Sequence, residues 1–424
     1  MDEKKVRAWI YYDWANSAFA TTMMAAVLPI FYVGVAAKTL ENPTLSASYW
    51  GLTQTIAMLI AAFMAPVLGA IADYSGSKVR FLRFFSLIGI FASASFAIVG
   101  EGDYLLASAL FIVGSIGFSS ATAFYDSLLP DLVPAEKRDM ISSKGYAFGY
   151  IGGGILLIIN LALIQQPALF MLPDSLTGTR ISFISVGIWW FVFSLPLFRT
   201  IKDVPLNTGK KLGELTTIAF SRTWATLKQI SKYPELFKFL LAFWFFNDGI
   251  STIITMATSY GSTIGIETKD LIAALVITQF VGIPCTLLFG KIANRLGSKS
   301  SLYISLSVYV LIVLLGYFMT TSLHFYLLAF MVGLVQGGSQ AIARSMFSRL
   351  APPDRTAEFF GFLNVSSRFS SILGPLCFSM VGLLTGSSRL AILSLVLFFI
   401  IGMILLSRVN LDKGAKEAVS PAVR

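Results

Sequence analysis

The chain has 424 residues, of which 56% are hydrophobic and 14% aromatic; only 13% are charged, against about 25% in soluble domains. That composition excludes a soluble globular domain and describes an integral membrane protein. The net charge of +10 would suit an acidic partner such as nucleic acid, but its distribution along the chain gives it another meaning.

A helix needs about 20 apolar residues to cross a hydrocarbon core of roughly 30 Å, and such stretches recur from one end to the other. In chain order the predicted spans cover residues 8–35, 48–72, 81–100, 104–129, 142–166, 181–200, 239–262, 271–293, 300–320, 324–349, 358–383 and 388–407. The first follows Lys4, Lys5 and Arg7, yet it exceeds the roughly 7–15 apolar residues of a signal peptide and contains Asp13. A retained span is expected, not a cleaved leader. With both termini on one side, the loops and helix ends of that side hold 28 of the 32 Lys and Arg residues. Only Lys38, Arg180, Lys269 and Arg389 fall on the other. This is the positive-inside pattern, so both termini are expected in the cytoplasm and the basic composition records topology. Nothing in it calls for nucleic acid.

Cys285 and Cys377 fall within spans and read as packing, and His324 begins a span at the outer face. There is no Cys/His metal spacing, no phosphate loop and no nucleophile constellation. Neither a metal, a cofactor nor enzymatic chemistry is expected.

The sequence repeats itself. LGAIADYSGSK at 68–78 returns as FGKIANRLGSK at 289–299, keeping Gly-x-Ile-Ala and Gly-Ser-Lys, each time between the second and third span of a six-span half. DSLLPDLVPAEKR at 126–138 matches RSMFSRLAPPDRT at 344–356, which lays Asp126 on Arg344. YDWANSAFATT at 12–22 matches FWFFNDGISTI at 243–253, which lays Asn16 on Asn247. The expected fold is therefore all-α, with twelve transmembrane helices arranged as two pseudo-symmetric six-helix bundles. The expected units are an N-terminal bundle at 1–200, a cytoplasmic linker at 201–234, a C-terminal bundle at 235–410 and a cytoplasmic tail at 411–424. In the linker, Leu215, Ile218, Trp224, Leu227 and Ile230 among six basic residues describe either a solvated connection or a helix lying on the membrane surface.

After the second span stand Gly69, Asp73, Gly76, Lys78 and Arg80, and in the second copy Gly290, Asn294, Gly297 and Lys299. Two six-helix halves with this loop pattern resemble the major facilitator superfamily of secondary transporters, and the resemblance covers the whole chain. It implies that two bundles rock about a central path, with the first, fourth, seventh and tenth spans lining it. Two departures stand out. Ser77 occupies a position where arginine is frequent, and Asn294 replaces Asp73 in the second copy, so a weaker second latch is expected. Asp73, close to Lys78, Arg80 and Arg83, can bond the amides that start a neighbouring helix, or a basic residue such as Arg138. The opening YYDWANSAFATT resembles the vacuolar-effluxer-like branch, linked to export of amino acids from the vacuole. GYAFGYIGGG at 145–154 lacks the proline of the superfamily's antiporter motif, and exchange is not read from it.

Charges within spans are expensive, roughly 2.5–3.5 kcal/mol near the bilayer centre on insertion scales, and mark function. At 1.5 Å per residue Asp13 lies roughly 8 Å inside the cytoplasmic edge. Asp126 and Arg344 lie at similar depth. A cytoplasmic gate or a proton-coupling group is the expectation for these three, against simple helix-end solvation for Asp13. Asp248 and Arg368 lie deeper, near the midplane, where transporters bind solutes. Arg368 would hold a carboxylate and Asp248 an ammonium group or a proton, with Asn16, Asn247 and Gln340 adding hydrogen bonds. An ion pair joining two helices is the structural alternative.

The expectation is a monomeric, proton-coupled secondary transporter of a small polar or zwitterionic solute, first an amino acid, spanning a bacterial plasma membrane. The alternatives weighed are export of hydrophobic drugs or lipids, which the many Phe and Met residues permit, and a non-transporting receptor.

Overall fold

A computed structural model of the chain describes residues 2–40, 43–203 and 233–419. Twelve long helices follow one another: α1 (Glu3–Ala36), α2 (Pro43–Ser75), α3 (Lys78–Ser95), α4 (Tyr104–Ser127), α5 (Arg138–Gln165), α6 (Ser175–Thr200), α7 (Pro234–Thr263), α8 (Thr268–Leu296), α9 (Ser298–Tyr317), α10 (Ser322–Leu350), α11 (Thr356–Thr385) and α12 (Ser388–Ser407). A short α13 (Leu411–Val419) comes last. Each predicted span overlaps one of the twelve, with ends shifted by a few residues. Among the described residues, eleven of these helices are long and apolar enough to cross a membrane, and α11 shows an apolar stretch at Ile372–Gly382. The predicted linker helix lies outside the described residues.

Local chemistry sets the helix ends. Asp2 accepts the Lys4 amide at 3.0 Å to start α1, Asp174 accepts the Thr177 amide at 2.7 Å to start α6, and Ser387 starts α12 on the Leu390 amide. The start of α3 is capped from a distance, because both Asp203 oxygens accept from the Val79 and Arg80 amides at 2.7 and 2.9 Å. Between α2 and α3, Gly76 turns the chain with φ +64°, and its repeat counterpart Gly297 does the same between α8 and α9 with φ +86°. Within α1, Phe19–Ala26 and Tyr32–Ala36 are π-helical. Pro29, which has no amide to donate, lies between them.

Buried apolar side chains gather in two large clusters. One belongs to α1–α6, around Trp9, Phe19, Phe124 and Trp190; the other belongs to α7–α12, around Phe239, Phe246, Tyr309 and Phe399. Among lipids such packing stabilises by close van der Waals fit, since acyl chains already keep water away. The halves join along two equivalent helix pairs. In the first, α2 lies on α11, where a Cβ on Gly361 would come 2.7 Å from the Ala65 carbonyl oxygen and one on Gly69 would overlap that of Ala357. In the second, α8 lies on α5, where a Cβ on Gly290 would come 2.9 Å from Ser143 Cβ.

Within the expected tail, Leu411–Val419 form a docked helix. Leu411, Gly414 and Ala418 recur at the spacing of one helical face, and Gly414 packs against Leu350. Glu235 at the start of α7 anchors this segment, accepting the Asn410 amide at 2.8 Å and pairing with Lys413 at 3.6 Å.

Candidate functional site

The face where α1 begins and α12 ends, here called the terminal face, carries a buried charge cluster. Asp13 on α1, Asp126 at the end of α4 and Arg344 on α10 are 8%, 8% and 4% exposed. Arg344 Nη1 lies 3.0 Å from Asp126 Oδ1 and 3.3 Å from Asp13 Oδ2, and Nη2 lies 3.4 Å from the same Asp13 oxygen. Ser142 on α5 accepts from Nε through its hydroxyl at 2.8 Å and from Nη2 through its carbonyl at 2.9 Å. A guanidinium has five N–H donors, and these five contacts account for them. Each carboxylate contact is worth on the order of 4 kcal/mol at an effective dielectric of about 20, against a desolvation cost of several kcal/mol per ion. The guanidinium is held because none of its donors is left unbonded.

Aromatic rings wall the guanidinium. Its carbon stands 4.8 Å from the ring centre of Trp9, 5.6 Å from that of Tyr125 and 4.3 Å from that of Tyr146, within cation–π range. Trp9 stacks on Tyr125 at 4.5 Å and donates its Nε1–H to the Tyr125 carbonyl at 2.9 Å, while the Tyr125 hydroxyl donates to Asp13 Oδ2 at 2.9 Å. Gly145 forms the floor, where an added Cβ would stand 2.6 Å from Asp13 Oδ2 and 3.0 Å from Arg344 Nη2. Sequence reasoning named the three charges but missed these rings and Ser142. The available signal was helical spacing: Trp9 precedes Asp13 by one turn, Ser142 precedes Tyr146 by one turn, and Tyr125 adjoins Asp126.

The loop motifs complete the joint between the halves. Asp73 accepts the Ala357 and Glu358 amides at 3.2 and 2.9 Å, seating its charge on the first turn of α11. Lys78 pairs with Asp73 at 3.5 Å and Asp131 at 2.8 Å and also reaches Thr356. Arg138 does not meet Asp73. It donates to the Val133 carbonyl at 2.9 Å and across the joint to the Ser348 carbonyl at 2.8 Å, because its own helix start turns it toward α10. In the second copy Asn294 is exposed, and Lys299 binds the Ser407 and Val409 carbonyls at 2.8 and 2.7 Å within its own half. The expected weak second latch is replaced by an acid on the opposite partner. Asp139 on α5, 2% exposed, accepts the Ser298 hydroxyl at 2.7 Å and the Arg349 guanidinium at 2.8 Å.

The deeper candidates are dispersed. Asn16 is buried one turn beyond Asp13, and Gln340 is part-buried one turn before Arg344. Asn247 donates to Ser370 Oγ at 2.8 Å and so ties α7 to α11. Asp248, 1% exposed, accepts the Gly374 amide at 2.9 Å on both of its oxygens, at the point where Pro375 interrupts the hydrogen bonding of α11. The Arg368 side chain lies outside the described residues. Among the described residues no group of three His, Cys, Asp or Glu side chains is placed to hold a metal ion.

A family model described as vacuole effluxer Atg22 like matches residues 38–419. The chain is 39% identical over 405 residues to the uncharacterized MFS-type transporter YxiO of Bacillus subtilis, covering 95% of this chain and 94% of that one. It is 27% identical over 445 residues to autophagy-related protein 22 of Saccharomyces cerevisiae, covering 95% and 81%. Among solved structures, the proton:xylose symporter XylE superposes with a TM-score of 0.71 at 13% identity, over 96% of this chain and 94% of that one. The transporter FucP in its outward conformation gives 0.70 at 14% identity, over 97% and 99%; these two likenesses speak for the fold. The chain belongs to the vacuole effluxer Atg22-like family of major facilitator transporters, as a multi-pass membrane protein.

Proposed function

We propose that the protein carries a small polar or zwitterionic solute, first an amino acid, across a bacterial plasma membrane by alternating access coupled to a proton, with the basic terminal face in the cytoplasm. One observation carries this reading, namely where the halves are bonded. The contacts of Arg344 with Asp13 and Asp126, Arg138 with Ser348, Ser142 with Ala341, Asp73 with α11 and Asp139 with Ser298 and Arg349 all lie at the terminal face. At the opposite face the bonds Lys38–Glu101, Arg180–Val99, Asp270–Tyr326 and Arg389–Met319 each stay within one half. A joint made at one end and, in these bonds of the described residues, not matched at the other is one of the two arrangements that alternating access requires.

In this reading the solute binds a turn beyond the cluster, between Asn16 and Gln340 and the level of Asn247, Asp248 and Arg368. Arg368 takes the carboxylate. Asp13 and Asp126 share one guanidinium, so the closed cluster carries an excess of one negative charge, and a proton on either acid would neutralise it. That is the coupling step. Purified protein in liposomes with an imposed pH gradient tests both parts: amino-acid movement should follow the gradient in the native chain and vanish in Arg368→Gln and in Asp13→Asn/Asp126→Asn. Movement unchanged by Arg368→Gln and by Asp248→Asn removes the solute site, and movement indifferent to the gradient removes the coupling.

A further inference from the structure

Every wall of the Arg344 cage comes from one half of the molecule. Trp9 and Asp13 lie on α1, Tyr125 and Asp126 on α4, and Ser142, Gly145 and Tyr146 on α5. Arg344 comes from the other half, whose Ala341 carbonyl also accepts from the Ser142 hydroxyl at 2.8 Å. The N-terminal bundle thus holds a formed receptor for a flat cation, with two carboxylates, a serine hydroxyl and carbonyl, and three aromatic rings around one guanidinium. Its internal geometry does not need the arginine. Trp9 bonds the Tyr125 carbonyl, Tyr125 bonds Asp13, and the stacked rings are braced from behind by Tyr12, which shares a 2.6 Å hydrogen bond with Ser86.

We propose that Arg344 is a tethered occupant of a cation-binding site, and that when the terminal face opens this site takes a guanidinium or primary ammonium cation from solution. The inference rests on the halves parting at that face, as alternating access has them do. Withdrawal of Arg344 leaves two carboxylates facing aromatic walls with their only cation removed, a state that water relieves poorly and that a planar cation relieves by the same contacts. The shape of the present occupant sets the ligand class. Four donors aimed at two carboxylates and a carbonyl, with ring faces above and beside, select a flat or compact organic cation over a sodium ion, which makes no use of the rings. Because ligand and Arg344 exclude each other, a bound cation favours the open arrangement, and opening raises its affinity by the same factor.

The probe is methylguanidinium chloride, which reproduces the end of an arginine side chain. Purified Arg344→Ala protein should show a saturable rise in Tm with methylguanidinium that equal sodium chloride does not give, and adding Asp13→Asn or Asp126→Asn should make binding roughly 30-fold weaker or undetectable. Absence of the rise, or its persistence in both double variants, overturns the proposal. If Arg344→Ala does not fold, the chain that keeps Arg344 gives a second measurement. With Cys285 and Cys377 replaced by Ser and Ala341→Cys placed in the closed joint, methylguanidinium should speed thiol labelling, whereas an unchanged rate overturns the proposal. Neither measurement involves solute movement, so failure in liposomes with cation binding intact would sink the transport reading and leave this one standing.

Discussion

Asp73 Oδ2 accepts the Glu358 amide at 2.9 Å, so an acid near the end of α2 in one half caps the start of α11 in the other. The bond adds to the closed arrangement only, because the α11 amides leave Asp73 when the halves part. Removing such a cap costs about 0.5–2 kcal/mol. Asp73→Ala should therefore shift the balance toward the opened terminal face by roughly 2- to 30-fold. Distances between spin labels placed on α2 and α11 at that face measure it. A distribution unchanged from the native chain would remove Asp73 from the latch.

Gly145 is the floor of the cage, and its own helix supplies the control. A Cβ there would stand 2.6 Å from Asp13 Oδ2 and 3.0 Å from Trp9, whereas one on Gly154 would meet nothing within 4 Å. Gly145→Val should displace Arg344 and cost on the order of 1–3 kcal/mol of thermal stability by overpacking. Gly154→Ala should be neutral or gain up to about 1 kcal/mol from helix propensity. A thermal melt of both in detergent decides it, and equal effects would show that Gly145 has no packing role.

Arg344→Lys keeps the charge and loses the fork. Three ammonium hydrogens on a flexible stem cannot reproduce five donors shared among Asp13, Asp126 and two atoms of Ser142. The lysine variant should open its terminal face more often, by about tenfold if a single charge-assisted bond of about 1.5 kcal/mol is lost. Labelling of Ala341→Cys, now buried against Ser142, reports the change. A rate equal to that of the arginine form would mean that charge alone closes the face.

The fold was legible because lipid enforces a simple grammar: apolar runs of spanning length, basic loops on one side, and a duplicated loop motif whose glycines Gly76 and Gly297 both need positive φ. Asp13, Asp126 and Arg344 were legible for the same reason, as charges lipid would not tolerate unpaired. The aromatic cage was not, since Trp9, Tyr125 and Tyr146 look like any other apolar residues in a membrane helix until a cation is seen among them. The second latch escaped for a different reason. The repeat invited a search at Asn294, whereas the acid had moved to Asp139 on the partner helix, and a repeat match compares positions, not contacts across the joint. Asp248 read as a ligand group because it is charged and deep, but its carboxylate is already engaged by the Gly374 amide, one residue before Pro375 within α11.

That engagement makes a separable prediction. Gly374 packs against Asp248 and Thr252 so tightly that a Cβ would overlap the Thr252 hydroxyl and stand 2.7 Å from Asp248 Oδ1. Gly374→Ala should destabilise by about 1–3 kcal/mol. Thr252→Ala, which removes the overlapping hydroxyl, should cost less alone and should recover part of the loss when combined with Gly374→Ala, giving a coupling of roughly 0.5 kcal/mol or more. Asp248→Asn should weaken the hold on the Gly374 amide without steric conflict, and its loss should not be recovered by Thr252→Ala. Melts of the four proteins of the Gly374/Thr252 cycle, with Asp248→Asn alongside, test this. Strict additivity would show that α7 and α11 give way independently at this point, and Asp248 would then act on the solute path through its charge and not by fixing α11 to α7.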